Sequence, residues 1–184
     1  RLGRERVFVG SLTHAAWRSN QGEVHWVGRG SINFGALDSQ ENHRAESLLN
    51  ILNDAELDAV LCDDIEQIIW KKLLINVAIN PVCAIAGVRN GALLEVNSLW
   101  QQSMQAMREA AIVARASGVD LGDIKLDEYL RDVVVISPEN RCSMLQDIMA
   151  GRPTEIDALC GAVVLRGEAE GIPTPCNAIL HGLI

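Results

Sequence analysis

No two of the five cysteines, Cys62, Cys83, Cys142, Cys160 and Cys176, stand in a C-x-x-C pair, and their number is odd. That disfavours a disulfide framework and a cysteine-based zinc ribbon, and buried reduced thiols are expected. The four histidines, His14, His25, His43 and His181, show no H-x-x-x-H spacing, so no metal site is expected. Basic charge is in short supply: 16 Lys+Arg face 24 Asp+Glu, a formal net charge of −8. This argues against a nucleic-acid partner and against attraction to anionic membranes. No run of like charges is long enough for an interaction tail, and there is no internal repeat or low-complexity segment. The opening Arg1-Leu-Gly-Arg-Glu-Arg carries charge but is not followed by an apolar region with a cleavage site, so it does not read as a signal peptide. The best membrane candidate, Leu73 to Val88, carries Asn76, Asn80 and Pro81 and is shorter than the ~20 apolar residues that a span needs. No membrane partner is expected, and the expected location is the cytoplasm.

What is present is a hydrophobic fraction of 48% over 184 residues, ample for a packed core in one domain or in a domain plus a fragment. The first third reads as strands. Arg6 to His14 is a short apolar run, Trp17 to Gly22 is turn material, and Glu23-Val-His-Trp-Val27 alternates as a half-buried strand does. Gly28-Arg-Gly-Ser31 reads as a hairpin turn into a further strand, Ile32 to Leu37. A helix is expected from about Glu41 to Asn53, then a strand over Ala59 to Cys62. From Asp64 onward strand signals nearly vanish. Ile65 to Asn80 reads as a helix that Asn80-Pro81 interrupts, because proline disfavours helical geometry before it and leaves a carbonyl unpaired one turn back. Asn90-Gly91 is a turn signal, and Ser98 to Ser117 a long helix ended by Gly118. Leu126 to Ile136 and Ser143 to Ala150 are further helices. Thr154-Glu-Ile-Asp opens another that runs to Gly171, and Thr174-Pro175 starts the last. The expected organisation is a β-rich piece, 1–62, too small for an independent domain, and a helical domain, 63–184.

Lys72, Asn76 and Asn80 stand at i, i+4 and i+8 in an otherwise apolar run, so a helix puts them on one face. A buried amide without partners costs on the order of 1–3 kcal/mol. The three are either a partly exposed stripe or the lining of a polar pocket. Half-buried in such a pocket, a lysine would tend to lose basicity by desolvation and serve as a proton donor or acceptor. Other candidates each have a plain structural reading: Asn90-Gly91 as a turn, Glu155 as an acid complementing a helix dipole, Ser143 as an N-cap. Gly28-Arg-Gly-Ser-Ile-Asn33 follows a strand but has Asn33 where a dinucleotide fingerprint needs its third glycine, and a strand pattern follows instead of a helix.

In order, Trp70-x-Lys72-Leu-x-x-Asn76-x-x-x-Asn80-Pro81, Asn90-Gly91, Ser143-Met-Leu-Gln-Asp-x-x-x-Gly-Arg-Pro-Thr-Glu155-Ile-Asp and Gly171-Ile-Pro-Thr-Pro closely resemble the ketopantoate reductase (2-dehydropantoate 2-reductase) family. The upstream Gly10-x-x-Thr13-His14-Ala15-Ala16 is similar to a late segment of that family's Rossmann domain. The resemblance covers nearly the whole chain. It implies an α+β fold: the last strands of a Rossmann-type α/β domain, then an all-α domain resembling the C-terminal domain of 6-phosphogluconate dehydrogenase. It implies reduction of a small 2-oxo acid, ketopantoate, by NADPH in pantothenate biosynthesis. Lys72 would be the general acid at the carbonyl oxygen, and Asn76, Asn80 and Asn90 would hold the substrate's hydroxyl and carboxylate. Ser143, Met144, Leu145 and Gln146 would complete the grip. Glu155 would touch the cofactor and help place Lys72, and Ala16 would lie beside the nicotinamide. The family's G-x-G-x-x-G and an upstream asparagine have no counterpart here, so the chain is expected to be a fragment, inactive alone and without measurable NADPH binding. Two other functions stay open: reduction of a different 2-oxo acid, and a non-enzymatic helical dimerisation module. A homodimer through the helical domain is also among the expectations.

Overall fold

The computed structural model describes residues 7–18, 22–36 and 42–184. Within the expected elements, Arg6, residues 19–21, Leu37 and Glu41 fall outside those residues. The chain divides into two compact units, Arg1–Ile69 and Trp70–Ile184.

In the first unit, strand β1 (Phe8–Leu12) pairs antiparallel with β4 (Ile32–Ala36), Gly10 opposite Phe34. Strand β4 pairs in parallel with β5 (Ala59–Leu61), and helix α1 (Asn42–Asp54) is the crossover that a parallel pair requires. Phe34, Ala45 and Ala59 are the buried centre, with Phe8, Leu48, Leu49, Leu52 and Leu61 packed on it. A second ladder joins β2 (Ala15–Arg18) to β3 (Val24–Gly28).

Two expectations fail in this unit. Trp17 and Arg18 are strand backbone, paired with His25 and Val24. Gly28–Ser31 is no hairpin turn, because β3 and β4 belong to different sheets. It is one side of a corner where the ribbon β1–β2/β3–β4 changes sheet, and cross-ribbon bonds hold it. Ser31 N–H donates to Thr13 Oγ1 (2.8 Å), Thr13 N–H to Ser31 O (3.1 Å) and Gly30 N–H to His14 Nδ1 (3.1 Å). A Cβ at Gly30 would lie 2.3 Å from the Thr13 carbonyl carbon, so only glycine fits this close approach.

The other helices are α2 (Ile65–Ala86), α3 (Ala92–Glu95), α4 (Asn97–Ala116), α5 (Leu126–Ile136), α6 (Ser143–Met149), α7 (Cys160–Glu170) and α8 (Pro175–Leu183). Contrary to expectation, α2 does not stop at Pro81. Every residue from Val77 to Ala84 is buried, and this packing outweighs a proline cost of roughly 3 kcal/mol. By length and composition alone α2, Ile65–Ala86, would also pass for a membrane-crossing helix; half of its most apolar window is buried inside the protein. The helix expected from Thr154 to Gly171 is two pieces. A 3₁₀ turn, Ile156–Ala158, precedes α7, and Leu159 breaks the path with φ −101° and ψ −95°. Thr154 Oγ1 accepts the Ile156 N–H at 3.3 Å. Gly118 and Gly171, at φ +85° and +68°, terminate α4 and α7 in the left-handed region.

Helix α4 is the axis of this core, burying Met104, Ala106, Met107, Ala110, Ala111, Val113 and Ala114. Glu109 is buried with them and fastens α8. Its carboxylate accepts the Cys176 N–H, the Asn177 N–H and the Asn177 side-chain amide, each at 2.9 Å. These main-chain donors open α8 and have no partner within the helix, while Pro175 brings none. Cys83, Cys142, Cys160 and Cys176 are buried free thiols and Cys62 is half-buried. Burial pushes the Cys83 and Cys160 thiols up to about 12 and Cys176 to about 11.

Candidate functional site

The face of α2 that carries Lys72, Asn76 and Asn80 descends from solvent into the core. Lys72 is exposed, Asn76 half-buried and Asn80 7% exposed. Of the two readings of this stripe, the exposure of Lys72 fits the partly exposed one at that end, and the burial of Asn80 fits the enclosed one at the other. Lys72 stands five residues, about one and a half turns, before the fully buried stretch 77–84.

At the buried end of this face Asn80 meets Ser143, which is itself exposed at the start of α6. The Asn80 side-chain amide donates to Ser143 Oγ at 3.4 Å. The Cys142 thiol lies 3.5 Å from the Asn80 carbonyl oxygen. The Asn90 N–H donates to the Asn140 carbonyl (2.9 Å), and the Gly91 N–H to the Pro138 carbonyl (2.8 Å). Asn90 is 4% exposed, and its side-chain Oδ1 is buried without a hydrogen-bond partner. An orphan acceptor of that kind costs about 1–3 kcal/mol, which a donor reaching it would recover. Arg89, beside Asn90, forms an ion pair with Glu139.

The remaining candidates are placed differently. Met144 and Leu145 are core side chains, so what they can offer a ligand is main chain. Gln146 is exposed, and its Nε2 donates to the Arg141 carbonyl at 2.7 Å. Glu155 is exposed at the start of the 3₁₀ turn. Ala16 lies on β2 in the first unit and is exposed. The segment Pro138–Cys142, which ties Asn80, Asn90 and Ser143 together, was not singled out from sequence. Its bonds run mostly through main-chain carbonyls, which any residue supplies; the only textual hint is its position directly before Ser143.

Nothing here forms a phosphate cradle from Gly28-Arg-Gly30. The Gly30 and Ser31 amides are engaged by His14 and Thr13, and the segment leads into a strand.

The family model for the C-terminal part of the ketopantoate reductases PanE/ApbA matches residues 64–184. A 2-dehydropantoate 2-reductase of Archaeoglobus fulgidus is 34% identical over 179 residues, 97% of this chain and 60% of that protein. A PanE/ApbA family ketopantoate reductase of Ralstonia eutropha, solved as a crystal structure, superposes with a TM-score of 0.86 at 30% identity, covering 96% of this chain and 57% of that one. A ternary structure of D-mandelate dehydrogenase with NADH and anilino(oxo)acetate superposes with a TM-score of 0.86 at 26% identity, covering 98% and 59%. The chain spans about 60% of the length of the curated relatives it matches. By sequence match and by fold, this chain belongs to the ketopantoate reductase family, with residues 64–184 as its all-helical C-terminal domain.

Proposed function

We propose that the protein carrying this chain reduces ketopantoate (2-dehydropantoate) to pantoate with NADPH, a step of pantothenate biosynthesis, in the cytoplasm. Family membership supports the reaction class. The observation that carries the reading is the polar face of α2: Lys72, Asn76 and Asn80 on one helix, with Ser143 bonded to Asn80 at its far end.

NADPH, when bound, supplies a hydride to the carbonyl carbon of the 2-oxo acid. Lys72 holds the proton that the carbonyl oxygen takes up as the C=O becomes CH–OH, and water then reprotonates the amine. An ammonium at that oxygen is worth most in the transition state, where negative charge develops, so it accelerates the step and does not merely bind substrate. Its flexible four-carbon stem lets it reach from an exposed position. Asn90 Oδ1 accepts the hydrogen of a substrate hydroxyl, and the amides of Asn76 and Asn80 with Ser143 Oγ hold the carboxylate. In this reading Ala16 would lie beside the nicotinamide and Glu155 would contact the cofactor. No residue of Gly28–Ser31 is given to the phosphates, since those amides are already engaged.

The test is Lys72→Ala in the whole protein, followed by NADPH absorbance. Turnover of ketopantoate should fall by about 10²–10⁴-fold with the fold retained. Turnover within a few-fold of wild type would remove Lys72 from the chemistry and with it the central support of the reading.

The similarity to D-mandelate dehydrogenase favours one second reading, a reductase of a different 2-oxo acid. The same lysine and asparagines serve any such substrate, and the shape of the pocket selects among them. A panel of 2-oxo acids ranked by kcat/KM separates the two.

A further inference from the structure

The segment joining α5 to α6 reaches across the site at every second residue. The Pro138 carbonyl accepts from Gly91 N–H at 2.8 Å, and the Asn140 carbonyl accepts from Asn90 N–H at 2.9 Å. Cys142 Sγ lies 3.5 Å from the Asn80 carbonyl oxygen. The next residue, Ser143, receives the Asn80 side chain at 3.4 Å. We propose that residues 138–142 form a bracket fixing the mutual spacing of Asn80, Asn90 and Ser143, with Cys142 and Gly91 as its positioning residues. The inference rests on reading those three polar residues as substrate contacts.

Cys142 is 4% exposed. Burial raises its thiol above the ordinary range, and the amides of Leu145 and Met144 aimed at the sulfur offset part of that rise. At neutral pH the group is therefore S–H, a weak donor to the Asn80 carbonyl. One sulfur thus faces α2 on one side and the opening turn of α6 on the other, and these are the elements that carry Asn80 and Ser143. Gly91 supplies the complementary condition, closeness. A Cβ there would stand 3.0 Å from the Pro138 carbonyl oxygen and 3.1 Å from the Pro138 Cβ. Both contacts are tight enough that Pro138 would have to yield, lengthening the bonds at residues 90 and 91 together.

The test uses the whole protein, with steady-state kinetics and amide hydrogen exchange. Cys142→Ala and Gly91→Ala should each raise the KM for the 2-oxo acid about tenfold, with kcat and the KM for NADPH within about twofold, the pattern of lost ground-state binding. Cys142→Ser keeps a donor and should recover most of that loss. Cys160→Ala removes an equally buried thiol in α7 and should leave the KM unchanged. In Gly91→Ala the Asn90 and Gly91 amides should exchange about tenfold faster than in wild type. If alanine at 142 prevents folding, Gly91→Ala carries the kinetic comparison alone. Unchanged KM in the folded variants overturns the bracket, and a lysine-dependent reductase would still stand. Should the wild-type protein reduce no 2-oxo acid, the functional reading fails and exchange alone decides. Asn90 and Gly91 amides that exchange freely in wild type, or equally in Gly91→Ala, overturn the bracket.

Discussion

Asn90 is the residue whose position is hardest to explain by packing alone. Its side chain is enclosed, yet Oδ1 has no partner. Ser103 Oγ and Asn177 Oδ1 are unpartnered in the same way, so the orphan atom alone does not separate a structural role from a ligand role. Asn90→Ala should therefore separate stability from affinity. The melting temperature is expected to hold or rise, because an unsatisfied buried acceptor disappears, while the KM for the 2-oxo acid rises about tenfold. A melting temperature several degrees lower would mean that the amide is a structural link and not a substrate contact. Lys72 presents the opposite case. Its spacing leaves an exposed stripe and a pocket lining both open, because periodicity reports which face of a helix a residue occupies and not how deep that stretch of helix lies. Tertiary packing decides depth, and it encloses Asn80 while Lys72 stays exposed.

Among the elements, α8 depends most on a single distant side chain. Glu109 of α4 holds two main-chain donors of its first turn and the Asn177 amide. Glu109→Ala leaves those donors buried and unpaired, and a loss of about 3 kcal/mol is expected, read as a fall in urea midpoint at unchanged m-value. A loss below about 1 kcal/mol would show that water replaces the carboxylate. Much of the element order could be read from the sequence wherever apolar period and punctuating residues agree. Leu126–Ile136 is a helix over the residues expected, Gly118 and Gly171 end α4 and α7, and Pro175 begins α8. The misreadings come from local signals overridden by distant contacts. Pro81 is carried through by its buried surroundings, and Gly28–Ser31 is shaped by Thr13 and His14 and not by a turn type. The break at Leu159 has no breaker residue to announce it. The candidate site was legible in part. The helix spacing marks Lys72, Asn76 and Asn80, but Asn90 and Ser143 lie 10 and 63 residues beyond Asn80, and only the family resemblance linked them. The bracket at 138–142 left no trace because its bonds are mainly backbone.

For the molecule as a whole, the buried thiols set a limit on the alkaline side. In the unfolded chain they ionise near 9.0, whereas in the folded protein Cys83 and Cys160 do so only at about 12 and Cys176 at about 11. Within that window the unfolded state has released protons that the folded state keeps, so raising the pH favours unfolding. Their contribution is fully present below the unfolded value and is lost as the pH climbs through the folded ones. Under reducing conditions the urea midpoint should fall as pH rises from about 9 towards about 12, and the fall should be shallower in Cys160→Ala. Identical slopes for the two proteins would deny that this thiol is shielded.

The unbroken course of α2 from Lys72 to Asn80 has a last consequence, for length and phase. Lys72 and Asn80 ride on one rod, eight residues apart, or about 12 Å along its axis. Such a rod acts as a ruler: whatever spans these two groups is measured for length, and its two ends are told apart. The rod also counts. Inserting or deleting one residue between them turns the lysine by about 100° around the axis and off the asparagine face, whereas three or four residues bring it nearly back. Changes of chain length inside this stretch of α2 are therefore tolerable only in near-whole turns, and each of those shifts the ruler by about 5 Å.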